Sequence, residues 1–540
     1  MRLILVIVIF GSSLISAQNK DFSLEEIMSG TFFPEGLTEL RSMADGEFFT
    51  VIQSDQNGYN NTLAQYNYAT GDFESALFRC GDFDELTRIV DYDLSSDEKH
   101  ILIAAELKAV YRRSTLGRYY VYNRADNTLV LLSKDWIQEP VFSPDGTKVA
   151  FVKENDIYYH DLLLEETIRV TEDGQKNKII NGLTDWVYEE EFAFVRAFEW
   201  SPEGTHMAYL KFDEEAVMEF SMDVYGEGLY PQQSVFKYPK AGTANATVSL
   251  HLYDLGAARV RNIDLTAHNY AYIPRLTWTK DHEVFSVLLS NRAQNQLDLI
   301  FVDIQDGKAN LVHTERDDAY VSVEDDLLYL NDNSFILSSE SDGWRHLYHY
   351  ARDGKLIRQI TSGPWEVTAF YGFDPQTGRL YFQSTERGSL YRDLYSVSIS
   401  GKNKVRLSQN LGTNTAAFSK GFGYFIQTFS SSNQPNQYTL HRALDGSLLR
   451  TLINNQELIN ELARYDVAPK EFSVININDE SLNMYTIKPT DFDPTKSYPV
   501  LLFQYSGPGS QSVADRWGGQ RDYWHQLLVQ QGLIVVCVDG

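Results

Sequence analysis

One phrase recurs through this chain and limits what it can fold into: an aromatic or apolar residue, a turn of Ser, Asp, Asn, Pro or Gly, then an alternating strand. It occurs as Met43-Ala44-Asp45-Gly46, Leu94-Ser95-Ser96-Asp97, Phe142-Ser143-Pro144-Asp145-Gly146, Trp200-Ser201-Pro202-Glu203-Gly204, Trp278-Thr279-Lys280-Asp281, Leu330-Asn331-Asp332-Asn333, Phe373-Asp374-Pro375 and Phe418-Ser419-Lys420-Gly421. These residue types favour tight turns because their short side chains bond the nearby backbone, or because glycine reaches positive φ freely. The first residues of successive phrases are 51, 48, 58, 78, 52, 43 and 45 positions apart. A repeat near 45 residues that holds four short strands is the pattern of propeller blades. Further aromatic strand signals follow the turns, among them Tyr119-Tyr120-Val121-Tyr122, Ile157-Tyr158-Tyr159, Leu252-Tyr253, Leu347-Tyr348 and Leu394-Tyr395. The spacing predicts a mainly β chain with an eight-bladed β-propeller over residues 40–465.

The two longest steps place insertions on either side of Trp200, and insertions in repeat arrays fall in loops on one face, often the binding face. The first insertion holds Asn-Gly-Leu-Thr-Asp-Trp-Val-Tyr-Glu-Glu-Glu-Phe at residues 181–192. Three adjacent carboxylates beside Trp186, Tyr188 and Phe192 repel one another strongly in the lowered dielectric unless a cation sits among them. On a helical turn neighbouring side chains point about 100° apart, so two Glu can converge on one ammonium, such as the α-amino group of a peptide. A bare Glu triplet also reads as a solvated acidic turn; its place in an insertion favours a pocket wall.

The flanks differ in texture. Residues 1–17 start with Arg2, run through an apolar core and end on Ala17, the pattern of a secretory signal peptide. That run is short for a bilayer, and no later stretch approaches the roughly 20 apolar residues of a spanning helix. Ser23-Leu24-Glu25-Glu26 is a capping box, which predicts a short helix within residues 18–39. From residue 466 onward, Phe472-Ser473-Val474-Ile475-Asn476-Ile477 alternates, Val500-Leu501-Leu502-Phe503-Gln504-Tyr505 is continuously apolar as in a sheet covered on both faces, residues 522–531 have helical spacing, and Leu533-Ile534-Val535-Val536-Cys537-Val538 is a second buried strand. Strand, helix, strand is the opening of an α/β domain with parallel pairing.

With 74 acidic against 47 basic residues, a net charge of −27 and no basic run, the chain does not read as a nucleic-acid binder; its partners should be cationic or neutral. Only Cys80 and Cys537 are present, which argues against a disulfide scaffold, and no Cys/His cluster or His-Glu-x-x-His pattern calls for a metal or other cofactor.

Taken together, residues 181–192, Trp200-Ser201-Pro202, Tyr238-Pro239-Lys240-Ala241-Gly242 with Asn245, and Tyr505-Ser506-Gly507-Pro508 resemble the dipeptidyl peptidase IV branch of the prolyl oligopeptidase-type serine peptidases. The resemblance runs from the propeller to the end of the chain. It implies release of N-terminal dipeptides with proline or alanine second, from peptides with a free N-terminus. It further implies that Glu190 and Glu191 grip the substrate's α-ammonium and block the channel two residues beyond the scissile bond. Arg112, in Val110-Tyr111-Arg112-Arg113-Ser114, matches the arginine that holds the penultimate carbonyl and is preferred over Arg113, although Tyr111 stands where an indole is familiar. Glu189 reads as a structural carboxylate. Tyr505 matches the tyrosine whose hydroxyl helps form the oxyanion hole; by its own position it reads equally as a core aromatic capping a strand.

A serine hydrolase of this type needs a Gly-x-Ser-x-Gly elbow, then an acid, then a histidine. No Gly-x-Ser-x-Gly occurs in the 540 residues. The expectation is therefore a fragment of a serine exopeptidase, itself inactive: signal peptide 1–17, helical segment 18–39, propeller 40–465, and the beginning of an α/β-hydrolase domain at 466–540. A tripeptidyl-releasing relative is the enzymatic alternative, against which the intact Glu pair argues; a non-catalytic peptide- or protein-binding propeller is the other. The leader and low cysteine count point to an exported, periplasmic or extracellular protein, with membrane association and a homodimer left open.

Overall fold

The structure, a computed structural model, describes residues 20–54, 59–507 and 509–540. The leader expected at residues 1–17 and Pro508 of the Tyr505 motif lie outside the described residues. Eight sheets follow one another, each built from consecutive strands: residues 38–79, 91–131, 138–169, 179–263, 272–316, 328–359, 367–406 and 413–453, blades 1 to 8 of a propeller. Each of the eight turn phrases sits at the connection between the first two full strands of its blade, and side chains close several of the turns. Asp45, Asp97, Asp145, Asp281, Asp332 and Asp374 each accept the N–H two residues on, while Ser95, Ser143, Ser201 and Ser419 accept the N–H five residues on. These bonds occupy backbone groups that the sheets leave unpaired.

Blades are held to one another by side chains. Leu102 and Val121 of blade 2 pack on Phe142, Val149 and Phe151 of blade 3, and Leu288 and Leu299 of blade 5 pack on Tyr329 and Phe335 of blade 6. The ring closes in the same way, with Phe49, Val51 and Tyr68 of blade 1 against Ile426 and Leu440 of blade 8. Each such fully buried side chain stabilises by about 1.5–3 kcal/mol relative to exposure.

Blade 4 departs from the pattern. Both Ile179–Asn181 and Phe198–Trp200 pair with the same strand, His206–Asp213: Asn181 lies opposite Lys211 and Phe198 opposite Tyr209. The chain leaves the first strand of this blade, makes an excursion, and returns to the same edge. A second excursion, between His206–Asp213 and Thr247–Asp254, forms a hairpin of Glu219–Val224 with Gln232–Lys237.

Outside the ring, helix α1 (Leu24–Met28) is capped by Ser23, whose hydroxyl accepts from Glu26 N at 3.3 Å and donates to the Glu26 carboxylate at 2.8 Å. The excursion helix in blade 4 is α2 (Trp186–Phe192), and α3 (Gln456–Leu462) follows blade 8. The last sheet orders its strands as Lys470–Ile477, Glu480–Ile487, Ile534–Val538, Val500–Phe503; the last two are parallel and joined through α4 (Gln520–Gln530). Phe22, Ile27 and Phe32 pack on Leu458, Tyr465 and Tyr523, so both ends of the ring segment meet α4. One strand differs from expectation: Val500 and Leu502 are exposed, 59% and 63%. Val500–Phe503 is an edge strand, its alternate residues Leu501 and Phe503 joining the core under α4, and among the described residues nothing covers its other face. Cys80 and Cys537 are buried free thiols. Among the described residues no helix is long and apolar enough to cross a membrane.

Candidate functional site

Helix α2 begins where Asp185 accepts the Tyr188 N–H at 3.0 Å and ends at Ala193, whose left-handed conformation stops it after two turns. Its apolar side is fixed by Tyr188 and Phe192, whose rings pack at 5.2 Å centroid separation, with Phe212 and Tyr272 around them. The Tyr188 hydroxyl accepts the backbone N–H of Ile273 in blade 5 at 2.8 Å. The three glutamates are thereby distributed: Glu189 buried, Glu190 partly buried, Glu191 exposed.

Arg112 comes from the tip of the blade 2 hairpin, the loop between His100–Ala109 and Thr115–Asn123, and reaches across to α2. It grips Glu190 with two parallel bonds, Nε to Oε2 at 2.8 Å and Nη2 to Oε1 at 2.7 Å. The guanidinium holds the Glu190 carboxyl below the usual range, and the carboxylate raises Arg112 in return. Arg112 is largely exposed and Glu190 partly so, so this is a bond a competing cation can reach and exchange. Tyr505, 67% exposed just past the end of Val500–Phe503, is close enough for its phenol to act on the Arg112 charge. Glu191 in turn acts on Tyr320, from the connection between blades 5 and 6, whose hydroxyl is pushed up first by burial and then by that carboxylate. Of the residues read from the sequence, the structure joins Arg112 and Glu190 directly, with Tyr505 within electrostatic range of Arg112 and Glu191 within that of Tyr320.

The second excursion buttresses the first. Tyr238 packs on Trp186 at 4.3 Å and on Phe220 at 5.5 Å, while Phe236 meets Tyr111 at 6.1 Å. Asn245 donates to the Tyr272 hydroxyl at 2.7 Å, and Tyr272 touches Phe192, so the Tyr-Pro-Lys-Ala-Gly segment and the Glu triplet share one foundation. Beneath them lie two carboxyls that burial raises, Asp185 to about 6 and Glu214 to about 7, the latter helped by Asp185 and opposed by Lys237. Glu214 was hidden in Asp213-Glu214-Glu215, a run that reads as solvated. Tyr320 carried no spacing signal either, since its loop lies outside any repeat phrase.

A family model described as the dipeptidyl peptidase IV N-terminal region matches residues 95–436. The chain belongs to the dipeptidyl peptidase IV family. Among curated members, the probable dipeptidyl peptidase 4 of Arthroderma benhamiae and the dipeptidyl peptidase 4 of Trichophyton rubrum are each 31% identical over 448 residues, covering 79% of this chain and 57% of their own. The chain thus spans a little over half the length of these family members. The crystal structure of Porphyromonas gingivalis dipeptidyl peptidase 4 is 37% identical and superposes with a TM-score of 0.91, covering 97% of this chain and 74% of that one. A putative dipeptidyl aminopeptidase IV from Bacteroides ovatus, 20% identical with a TM-score of 0.78, shares the fold of the dipeptidyl peptidase IV family.

Proposed function

We propose that the chain is the substrate-selecting part of an exported serine exopeptidase that removes N-terminal dipeptides, with proline or alanine in second place. The observation that carries this reading is the exposed, two-bonded Arg112–Glu190 pair with Glu191 beside it and Tyr505 within electrostatic reach. An incoming α-ammonium takes the place of the guanidinium on Glu190 and is shared with Glu191. Arg112, released, turns its donors to the carbonyl of the first substrate residue, and the Tyr505 hydroxyl donates to the oxygen on which charge develops. A carboxylate pair closing the site one residue beyond Arg112 leaves no room for a longer N-terminal extension. The names of the relatives, and the 37% identity to the Porphyromonas gingivalis enzyme, support the same reaction. Export rests on residues 1–17, and a homodimer is favoured by the blade 4 hairpin, whose tip exposes Tyr225, Leu229 and Tyr230 by 79–99%.

The test uses the full-length protein with Gly-Pro-p-nitroanilide. Glu190→Ala and Glu191→Ala each lower kcat/KM by at least tenfold, and N-acetylation of the substrate abolishes turnover in the wild type. Unchanged kcat/KM in both variants, within about threefold, rules the reading out, since loss of a charge partner in a recognition site costs about 2 kcal/mol or more.

A further inference from the structure

Glu189 differs from its two neighbours in facing the protein: it is 2% exposed. Its Oε1 accepts two backbone N–H groups of the blade 2 loop, Arg113 at 2.5 Å and Ser114 at 2.9 Å, and its main-chain oxygen accepts from Arg113 Nε at 3.3 Å. Among the described residues its carboxylate takes part in no ion pair; its hydrogen bonds go to the two backbone amides, a strong and directional arrangement. The loop's own closing bond, Val110 N–H to Ser114 O at 2.9 Å, ties it to blade 2 and not to the helix. Blade 2 and blade 4 have a whole blade between them, and blades are joined by side-chain packing, which leaves room for small shifts. The Glu189 carboxylate spans that gap at the residues immediately after Arg112.

We infer that Glu189 is a positioning residue: by clamping the Arg113 and Ser114 amides it sets the distance between the Arg112 guanidinium and the Glu190–Glu191 pair, and so sets how many residues of a peptide N-terminus the site counts. This rests on the reading of Arg112, Glu190 and Glu191 given above. Arg112 itself is 67% exposed along its side chain, so once Glu190 lets go the placement of its backbone is what limits its reach. A free loop would let the span between carbonyl holder and ammonium clamp vary, and an error of about 1 Å in such a span is enough to cost on the order of a hundredfold in kcat/KM.

The experiment measures dipeptidyl and tripeptidyl p-nitroanilides with the full-length protein, counting active sites by fluorophosphonate labelling. Glu189→Ala raises KM for the dipeptidyl substrate about 10- to 100-fold while kcat per labelled site stays within about threefold, and narrows the preference for dipeptidyl over tripeptidyl release. Glu189→Gln, which keeps an acceptor for both amides, recovers most of that loss. In an Arg112→Ala background Glu189→Ala adds less than about twofold, because both act through one contact. An equal loss in both backgrounds, or a loss accounted for by fewer labelled sites, overturns the assignment. Should Glu189→Ala fail to accumulate, Glu189→Asp serves: shorter by one methylene, it shifts the loop and raises KM, and a wild-type KM in folded Glu189→Asp refutes the role. An Arg112→Ala variant with unaltered KM would instead overturn the underlying reading of the site, and the positioning role with it.

Discussion

Replacing Tyr188 by Phe removes one oxygen and nothing else, which isolates a single bond under the site. The ring stays packed on Phe192 and Phe212, so no methylene-sized cavity forms. What is lost is the acceptor for Ile273 N–H, at 2.8 Å, in a residue of zero exposure. Ile273 lies where the pairing of Tyr272–Trp278 with Val284–Ser290 slips register, between Tyr272 and Arg275, which is why a side chain serves its amide. A buried N–H left without a partner costs about 1–3 kcal/mol, which corresponds to roughly 5- to 150-fold faster opening. Hydrogen exchange followed by mass spectrometry, on peptides spanning residues 271–276 and 186–193, reads this directly. In Tyr188→Phe the first peptide exchanges faster by that factor and the second follows, because α2 has lost its tie to blade 5. Tyr270→Phe is the control: its hydroxyl donates to Val248 O at 3.2 Å, so its loss leaves no buried N–H without an acceptor and moves neither peptide by more than about twofold. Unchanged exchange at residues 271–276 in Tyr188→Phe, with α2 still folded, would refute the account.

Three further outcomes are expected. Burial holds the Glu214 proton up to about pH 7 when folded, against an ordinary value of 4.5, so the folded state binds more protons across that window and loses stability as pH rises through it; Glu214→Gln therefore matches the wild type in denaturant unfolding near pH 4 and exceeds it by roughly 1–3 kcal/mol at pH 8, and equal curves at pH 8 would contradict this. Asp156 accepts from Arg169 at 2.5 Å, Thr171 at 2.6 Å, Gly174 N at 3.0 Å and Asn181 at 3.1 Å, directly before the α2 excursion; Asp156→Ala should destabilise by on the order of 2–4 kcal/mol, and a urea midpoint like the wild type's would show the network to be dispensable. In the full-length protein Tyr505→Phe should lower kcat by roughly 10²–10³-fold with KM and melting temperature kept, whereas a lowered melting temperature with normal turnover would mark Tyr505 as structural.

The ring was legible because its turns are local chemistry. Asp145 or Ser143 closes a turn with its own backbone, so the residue types report the geometry without knowledge of any distant partner. The two insertions showed as long steps in the spacing, and the capping box at Ser23 was readable for the same local reason as the turns. What the sequence withheld depends on contacts between remote segments. Nothing in residues 179–200 says that both halves pair with His206–Asp213, and nothing near Arg112 says that its partner is Glu190, 78 positions on. Glu214 sits in an acidic run yet is buried; Val500 and Leu502 belong to an apolar run yet are exposed, because among the described residues nothing packs on that face of their strand. In each case tertiary placement overrides composition.

The bridge between Lys20 and Tyr465 changes how the chain's connectivity is understood. Seen from α4 and its sheet, the ring's two ends are stapled side by side, the Lys20 amide to Arg464 O at 2.7 Å and the Asp466 amide to Lys20 O at 3.0 Å. Closing so long an excursion costs little more entropy than closing one half its size, since the penalty grows only with the logarithm of length. Every blade is also complete within its own stretch of chain, so no strand is shared across the seam. Blades 7 and 8 are tied to the segment leading into α4 as well, Arg392 donating to the Gln511 amide oxygen at 2.6 Å and the Ser432 amide to Asp515 at 2.7 Å, so a change in blade number would have to preserve this seam and would fall among the blades away from it.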